Sequence, residues 1–585
     1  MDQIESQFAE RGRPLRPVVG VAISAAAAVL AVVVAALLVR DYAAYHASDP
    51  MNSEALAALK AQAARNPKDA ALLERIRALD LALREEHFRH VAVARRGNGL
   101  LLGCAVLFLL AAKVGTAHAA RLSRPRGKLA DVEAEMKRAA WGRRMVVTLV
   151  VLLAAGAISP LAVRAYVRMT TVPPPPPHFA DPADVARYWP RFRGPGGRAI
   201  SAYDNVPTEW DGNTGRNILW KTPVPLPGKS SPIVWGDRVF LTGGKRDRRE
   251  VYCYDAATGK RLWERPVVVP DRPGKAKEAF EDTGYAASTP VCDDRHVFAI
   301  FANGDLACFR HDGELVWVKA LGQPDNQYTH GSSLAMYRNL LLVLLDQGNL
   351  ENYMSKLLAL DGASGRAVWE KRRPVGSSWG TPALMASGGG QQLIASANPW
   401  VMAYDPNSGA ELWRAHCMEG GDVASSPVFA NGTVFAVCAE TKLYAIRADG
   451  AGDVTETHVA WSAEDGLPDI TSPVTDGTHV WLLDSGGLLT CYDAQTGEKV
   501  YEHELEKVCN ASPALAGGRL YVVSIKGVTF VAETGREFKL VATNPLGEGG
   551  VVASPAFQNG RIYLRGKKHL FCIGQKPGST SRPAE

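Results

Sequence analysis

The chain has nine cysteines in 585 residues, yet no Cys-x-x-Cys, no Cys-x-x-Cys-His and no two cysteines side by side. Neither a zinc clip nor a covalent c-type haem is indicated. No Ser-His-Asp arrangement and no glycine-rich phosphate-binding loop is evident; the many glycines read as turn residues. Charge of one sign is also scarce: 66 Lys and Arg face 60 Asp and Glu, for a net charge of +6. That excess is concentrated near the N-terminus, beside apolar runs, where basic residues set membrane topology. Nucleic-acid binding is therefore not read from it. Long apolar runs are absent after residue 163 and confined to the first part of the chain.

What fills the rest is a unit returning about eight times between Asn217 and Gly574. It reads Ser-Pro, an apolar strand, a second strand, Asp-x-x-x-Gly, then a Trp strand. One copy runs from Ser231-Pro232 through VFLTGG and VYCYDAATGKRLW to Trp263, another from Thr381-Pro382 to Trp413. The anchoring positions are Pro232, Pro290, Leu334 (in place of Pro), Pro382, Pro427, Pro473, Pro513 and Pro555, spaced 40 to 48 residues apart with one step of 58. A repeat of that length with four short strands predicts an all-β, eight-bladed β-propeller of four-stranded blades. Gly259, Gly365, Gly409 and Gly497 fall where a hairpin turn needs positive φ. The Trp that follows, as at Trp263, Trp317, Trp369 and Trp413 and more loosely Trp461, is a wedge between blades. The last copy stops at HLFCIG, and an orphan strand, NILWKTPVP with Trp220, precedes the first; pairing the two would close the ring and remove both sheet edges. The Ser and Thr of the Ser-Pro starts are expected to bond backbone between blades.

Cys253, Cys308, Cys491 and Cys572 share one position of the third strand, which in other copies holds Ala359, Ala403 and Ala445. A site that alternates Cys with Ala wants a small buried side chain, so these four are expected to be packing thiols. Pairing of Cys292, Cys417, Cys438 and Cys509 stays open.

The N-terminal part predicts a membrane module over 18–172, after a cytoplasmic tail at 1–17. Residues 18–39 are an unbroken run of 22 Ala, Val, Leu, Ile, Gly and Ser, enough to span a bilayer core of about 30 Å. No Ala-x-Ala exit or following cysteine marks it as cleaved or lipidated. Further spans are expected at 145–163 and at 97–117, the latter interrupted by Lys113, with a helical hairpin at 50–96 between the first two. Arg121 to Arg144 form a dense basic loop, so positive-inside places it in the cytoplasm and everything after the third span in the periplasm. Pro173 to Pro177 begin a semi-rigid linker over 173–187, the propeller occupies 188–574, and a disordered tail is expected at 575–585.

The Asp-x-x-[ST]-Gly-x-x-x-Trp repeats, with WPRFRGPGGRAIS and NILWKTPVPLPGKSSPIVWGDRVFLT, resemble the pyrroloquinoline quinone-like repeat propellers of a membrane-anchored bacterial group over 188–574. That superfamily includes an outer-membrane assembly scaffold as well as quinoprotein dehydrogenases. The enzyme reading implies pyrroloquinoline quinone and Ca²⁺ in the central channel, commonly under a cap of adjacent cysteines, with an Asp base, oxidising an alcohol or sugar. This chain lacks the cysteine pair and has near-minimal blades. The favoured expectation is a non-enzymatic scaffold or binding module for a protein or cell-envelope partner at the bacterial inner membrane, with no cofactor, no metal and no catalytic residue. Residues just before the Ser-Pro starts should line the channel mouth: Lys229, Tyr285, His330, Trp379, Asp422, Asp469 and Asn510 are the candidates, with Trp379 the best stacking platform. The one large insertion, 267–285, reads as a solvated loop or as a cap gripping a partner. A reporter active only in the periplasm, fused after Pro177, should be active and one fused near Arg126 silent; the opposite pattern would overturn the topology.

Overall fold

The computed structural model describes residues 15–48, scattered positions between 97 and 110, and 178–575 apart from 271–277, 282 and 388–389. Two compact units emerge, Met1–Thr171 and Val172–Glu585. In the first, a helix spans Leu15–Ser48, well beyond the predicted 18–39. Its Ile23–Asp41 stretch, with mean hydropathy 2.5, is long and apolar enough to cross a membrane. Three such spans were expected; among the described residues this is the one that qualifies. The described positions from Gly97 to Leu110 are helical, but the rest of 97–117 lies outside the described residues, as do the hairpin at 50–96, the span at 145–163, the polyproline run and the tail from 576.

The second unit is the propeller: eight sheets, each of antiparallel strands in sequence order from the axis outward. Blades 1 to 8 occupy 233–266, 291–320, 335–372, 383–416, 428–463, 474–504, 514–545 and 556–574. The eighth takes its outer strand from Ile218–Pro223, with Trp220 opposite Cys572, so the ring closes between the two ends of the repeat array. One blade departs from the four-strand rule. Gly452–Asp453 adds a fifth strand to blade 4, pairing parallel with Trp413 and Arg414. The cause is an insertion in blade 5, where the expected Asp-x-x-x-Gly turn is replaced by a longer excursion with a short helix at Thr455–His458.

The repeat's consensus residues lock neighbouring blades together. Eight hydroxyls form a closed circle around the axis. The backbone N–H of Ser231 donates to Thr289 Oγ1, Thr289 to Ser333, and Ser333 to Thr381. Thr381 continues to Ser426, Ser426 to Ser472, and Ser472 to Ser512. Ser512 reaches Ser554, and Ser554 returns to Ser231, every link 2.9 to 3.0 Å. Only the hydroxyl matters to this circle, which is why Leu334 can replace the following proline.

A second lock lies at the rim. In each blade the register between the last two strands shifts just before the wedge position, a β-bulge that turns the wedge toward the next blade. The Trp263, Trp317 and Trp220 indoles donate at 2.9, 2.8 and 3.2 Å to carbonyls of His311, Gly362 and Ala256 in the following blade. Each ring also lies flat on that blade's turn glycine. A Cβ on Gly259, Gly365, Gly409 or Gly497 would sit 2.5 to 2.7 Å from the wedge ring of the preceding blade, and each has φ between +66° and +76°. The Asp of the turn caps it, as when Asp361 Oδ1 accepts the Ser364 N–H at 2.9 Å. At the junction of blades 4 and 5, where the turn is missing, Trp413 donates to Gln392 within its own blade instead.

The small third-strand residue stands directly opposite the wedge: Cys253 to Trp263, Cys308 to Trp317, Ala359 to Trp369, Cys491 to Tyr501. Where the outer residue shrinks to Ala542, the inner one grows to Val531, which recovers part of the lost volume. The described cysteines are all buried free thiols, including the four left open by sequence. Burial pushes the Cys491 and Cys572 thiols up to about 12, so neither is a thiolate near neutral pH.

Gly365→Ala should destabilise the propeller by about 1–3 kcal/mol, because the methyl meets Trp317 and the residue is left-handed. Gly535→Ala, at a turn with open space around it, should be near neutral. Urea unfolding of both variants checks this; equal midpoints would refute the glycine–tryptophan lock.

Candidate functional site

Antiparallel order sends the innermost strand of each blade away from the hydroxyl circle, the second back, the third away and the fourth back. Inter-blade links and the loops between second and third strands therefore share one face, the channel mouth. The opposite face carries the Asp-x-x-x-Gly turns.

The axial cavity has a volume of about 220 Å³. Its wall has two tiers. One is the circle of eight hydroxyl residues; the other, two residues earlier in each copy, is Lys229, Ala287, Gly331, Trp379, Ala424, Ile470, Asn510 and Val552. Thr283, from the 267–285 insertion, joins the rim, and Phe192 enters from the far side. Of the predicted residues, Lys229, Trp379 and Asn510 thus line the cavity. The other four do not: His330 and Asp469 each stand one residue before a lining position, where extended chain points neighbouring side chains to opposite sides, and Tyr285 and Asp422 stand two residues before theirs. His330, one residue off the lining position, is buried between blades. Asp422 and Asp469 are exposed at the rim, and Tyr285 packs against Gly244.

Trp379 is held by its neighbours. Ser378 Oγ donates at 2.6 Å to Asp346 Oδ2, a carboxylate that Arg373 also pairs with; both members of that ion pair are fully buried. Arg373 Nε donates at 3.1 Å to the Tyr404 hydroxyl in the next blade. Burial raises the Asp346 carboxyl above its usual range, against the pull of Arg373 and Ser378. The Trp379 backbone N–H is fixed at 2.9 Å to Val423 O. On its open side Trp379 meets Tyr328 edge-on at 5.0 Å, and Tyr328 meets Phe280 of the insertion at 5.6 Å. An aromatic run thus crosses three successive inter-blade links at the mouth.

The far end of the channel is closed by a segment that sequence alone presented as a lead-in. Residues 189–201 cross the inner strands: Trp189 pairs with Val234, Pro190 O accepts from Cys292, and Ala199 and Ser201 bracket Leu515. Arg191 donates at 2.5 Å to Pro382 O, and Arg193 donates to Pro473 O. These contacts fall one to three residues after the hydroxyl circle, on the side away from Lys229 and Trp379. Arg193, Gly194, Gly196 and Gly197 all have positive φ, which lets WPRFRGPGG fold back within the channel. The charge-and-glycine density of that motif was the available signal; its target, carbonyls on distant blades, was not.

Fold and channel together define a PQQ-like repeat β-propeller. A family model described as "Outer membrane protein assembly factor BamB" matches residues 190–350 and 353–582, and the chain belongs to that family. It is 22% identical over 311 residues to the outer membrane protein assembly factor BamB of Moranella endobia (strain PCIT), covering 52% of this chain and 71% of that protein. It is 23% identical over 345 residues to the Yersinia pestis protein of the same name, covering 55% and 78%. Among solved structures, a quinohemoprotein alcohol dehydrogenase from Comamonas testosteroni shares the fold at 13% identity and a TM-score of 0.50, over 69% of this chain and 82% of that one.

The quinone and Ca²⁺ of such dehydrogenases do not fit the residues present. Among the described residues no carboxylate lines the cavity, and no group of three or more His, Cys, Asp or Glu suited to a metal occurs. A Ca²⁺ site needs six or more oxygen ligands, several of them carboxylates.

Burial depresses His330 to about 4. Unfolded, it would titrate near 6.5 and bind protons that the folded state refuses, so stability is lost as pH falls below about 6.5. His330→Gln should remove about 2 kcal/mol of the loss between pH 7 and pH 5. Urea midpoints at the two pH values test this; identical pH dependence in both proteins would contradict it.

Proposed function

We propose that this chain is a membrane-held, non-enzymatic scaffold whose channel-mouth face docks an envelope protein. The observation that carries the reading is a group of large exposed apolar side chains gathered on one face, beside others scattered over the outer strands. Phe280, Leu350, Tyr353, Met354, Ile470 and Val508 are 39 to 54% exposed, and all lie on mouth-face loops. Tyr353 and Met354 belong to the 347–355 loop, which hydrogen-bonds to both neighbouring inter-blade links through Gly348. They therefore sit close to the aromatic run of Phe280, Tyr328 and Trp379. Apolar and aromatic side chains on a rigid, loop-rich surface are the composition of a protein-docking patch.

The lead-in polypeptide supports this assignment. His178 pairs with Asp294 at 2.6 Å and Phe179 lies under the Arg338 guanidinium. Both partners are in turns of the opposite face, so the described lead-in at 178–179 runs along that face. The one apolar N-terminal helix supports a membrane-held placement, and the basic residues of 121–144 are in keeping with a ring outside the cytoplasm. The resemblance to assembly factors supports a protein partner, and the poor fit to quinone and Ca²⁺ argues against the dehydrogenase alternative.

A photocrosslinking residue at Tyr353 in intact cells should yield a discrete adduct, and one at Leu540 on an outer strand none. Phe280→Asp with Met354→Asp should abolish the adduct while leaving the melting temperature unchanged. Equal labelling at both positions, or an adduct that survives the double substitution, would refute mouth-face docking.

A further inference from the structure

The eight hydroxyls of the axial circle each accept one backbone N–H, and none donates to another described residue. All eight residues are at least nine-tenths buried and line the cavity. A hydroxyl has one proton to give, so eight O–H donors converge on one small space. They are not alone. The Trp379 indole N–H is buried without a partner among the described residues, on a ring that lines the same cavity. The Lys229 side chain and the Asn510 amide add further donors from the same tier.

Beneath the circle the sign is the same. Arg191 and Arg193 are 3% and 1% exposed. Each gives one hydrogen bond, to the proline carbonyl next to a circle residue, and each leaves Nε and Nη1 without a partner among the described residues. No described carboxylate pairs with either. Arg565 is the internal comparison. It is equally buried and also lacks a carboxylate, but it bonds Ser230, Thr242 and Leu226 through both terminal nitrogens. Burial without a counter-charge depresses Arg193 to about 9, with Arg191 adding to the effect. Uncompensated buried cations are costly, and a nearby anion offsets that cost.

We infer that the channel is an anion well: it binds one small oxyanion, a phosphate or a carboxylate, on the axis within the hydroxyl circle. Hydroxyls would supply directed O–H donors, Lys229 the charge at the entrance, and the two arginines a positive field from the closed end. The volume of about 220 Å³ is several times the roughly 30 Å³ share of one water, so an ion of four or five heavy atoms fits. The carboxylates Asp422 and Asp469 stay exposed on the rim and do not enter. This site is independent of protein docking and would stand if no partner bound the mouth.

Equilibrium dialysis of the full chain with labelled inorganic phosphate, in chloride at fixed ionic strength, tests the inference, with acetate as competitor. One saturable site per chain is expected, displaced by acetate. Lys229→Met, on a half-buried loop residue outside the core, should weaken it about tenfold, as befits loss of one charge-assisted hydrogen bond. In phosphate-grown crystals the ion should lie within hydrogen-bond reach of the circle's hydroxyls. No saturable binding, unchanged affinity in Lys229→Met, an adventitious ion only, or ordered water alone along the axis would each overturn it.

Discussion

The closed circle of eight backbone-to-hydroxyl bonds is the constraint on which the rest of this ring depends. A single four-stranded blade cannot bury its two faces alone. Each link ties the start of one innermost strand to the next, and the eighth returns to the first only because Ser554 meets Ser231. The same closure brings Ile218–Pro223 to the last blade. With the axis fixed by the hydroxyls and the rim by tryptophan on glycine, the blade-to-blade spacing is held at two radii. The interior between them then has little freedom, which is why a small residue stands opposite each aromatic wedge.

That geometry also creates the channel's character. Hydroxyls spent as acceptors in the circle keep their protons for the axis. The plug at 189–201 then closes one end and brings buried arginines with it. A wall of donors with no carboxylate among its described lining residues is the opposite of what a Ca²⁺-bearing quinone site requires. Mouth-face loops, free of the packing demands met by the strands, carry a group of exposed apolar side chains. Circle, plug and mouth face are thus three consequences of one repeat: what each blade must bond inward, what closes the far end, and what is left over to meet a partner.

Much of this was legible in the residues. Repeat spacing gave the blade count, the orphan Trp220 strand gave closure, and the alternation of Cys253, Cys308, Ala359 and Ala403 gave a small buried slot. Of the residues expected at the channel mouth, Lys229, Trp379 and Asn510 line the cavity. His330, Asp422, Asp469 and Tyr285 do not: for His330 and Asp469 a one-residue slip reverses the side a strand-like residue faces, and Tyr285 and Asp422 lie two residues outside the lining tier. The fifth strand of blade 4 was hidden because Gly452–Asp453 carries no strand pattern of its own.

The sequence by itself determined the ring: local periodicity, turn residues and wedges recur often enough that each copy confirms the others. Only the tertiary structure decided what the axis is. Arg191 reaches a carbonyl 191 residues away and Arg193 one 280 residues away. Hydroxyls that each repeat presents as links between neighbouring blades come to line one cavity once eight of them surround the axis. Convergence of that kind depends on how distant segments are placed around an axis, and no local pattern encodes it.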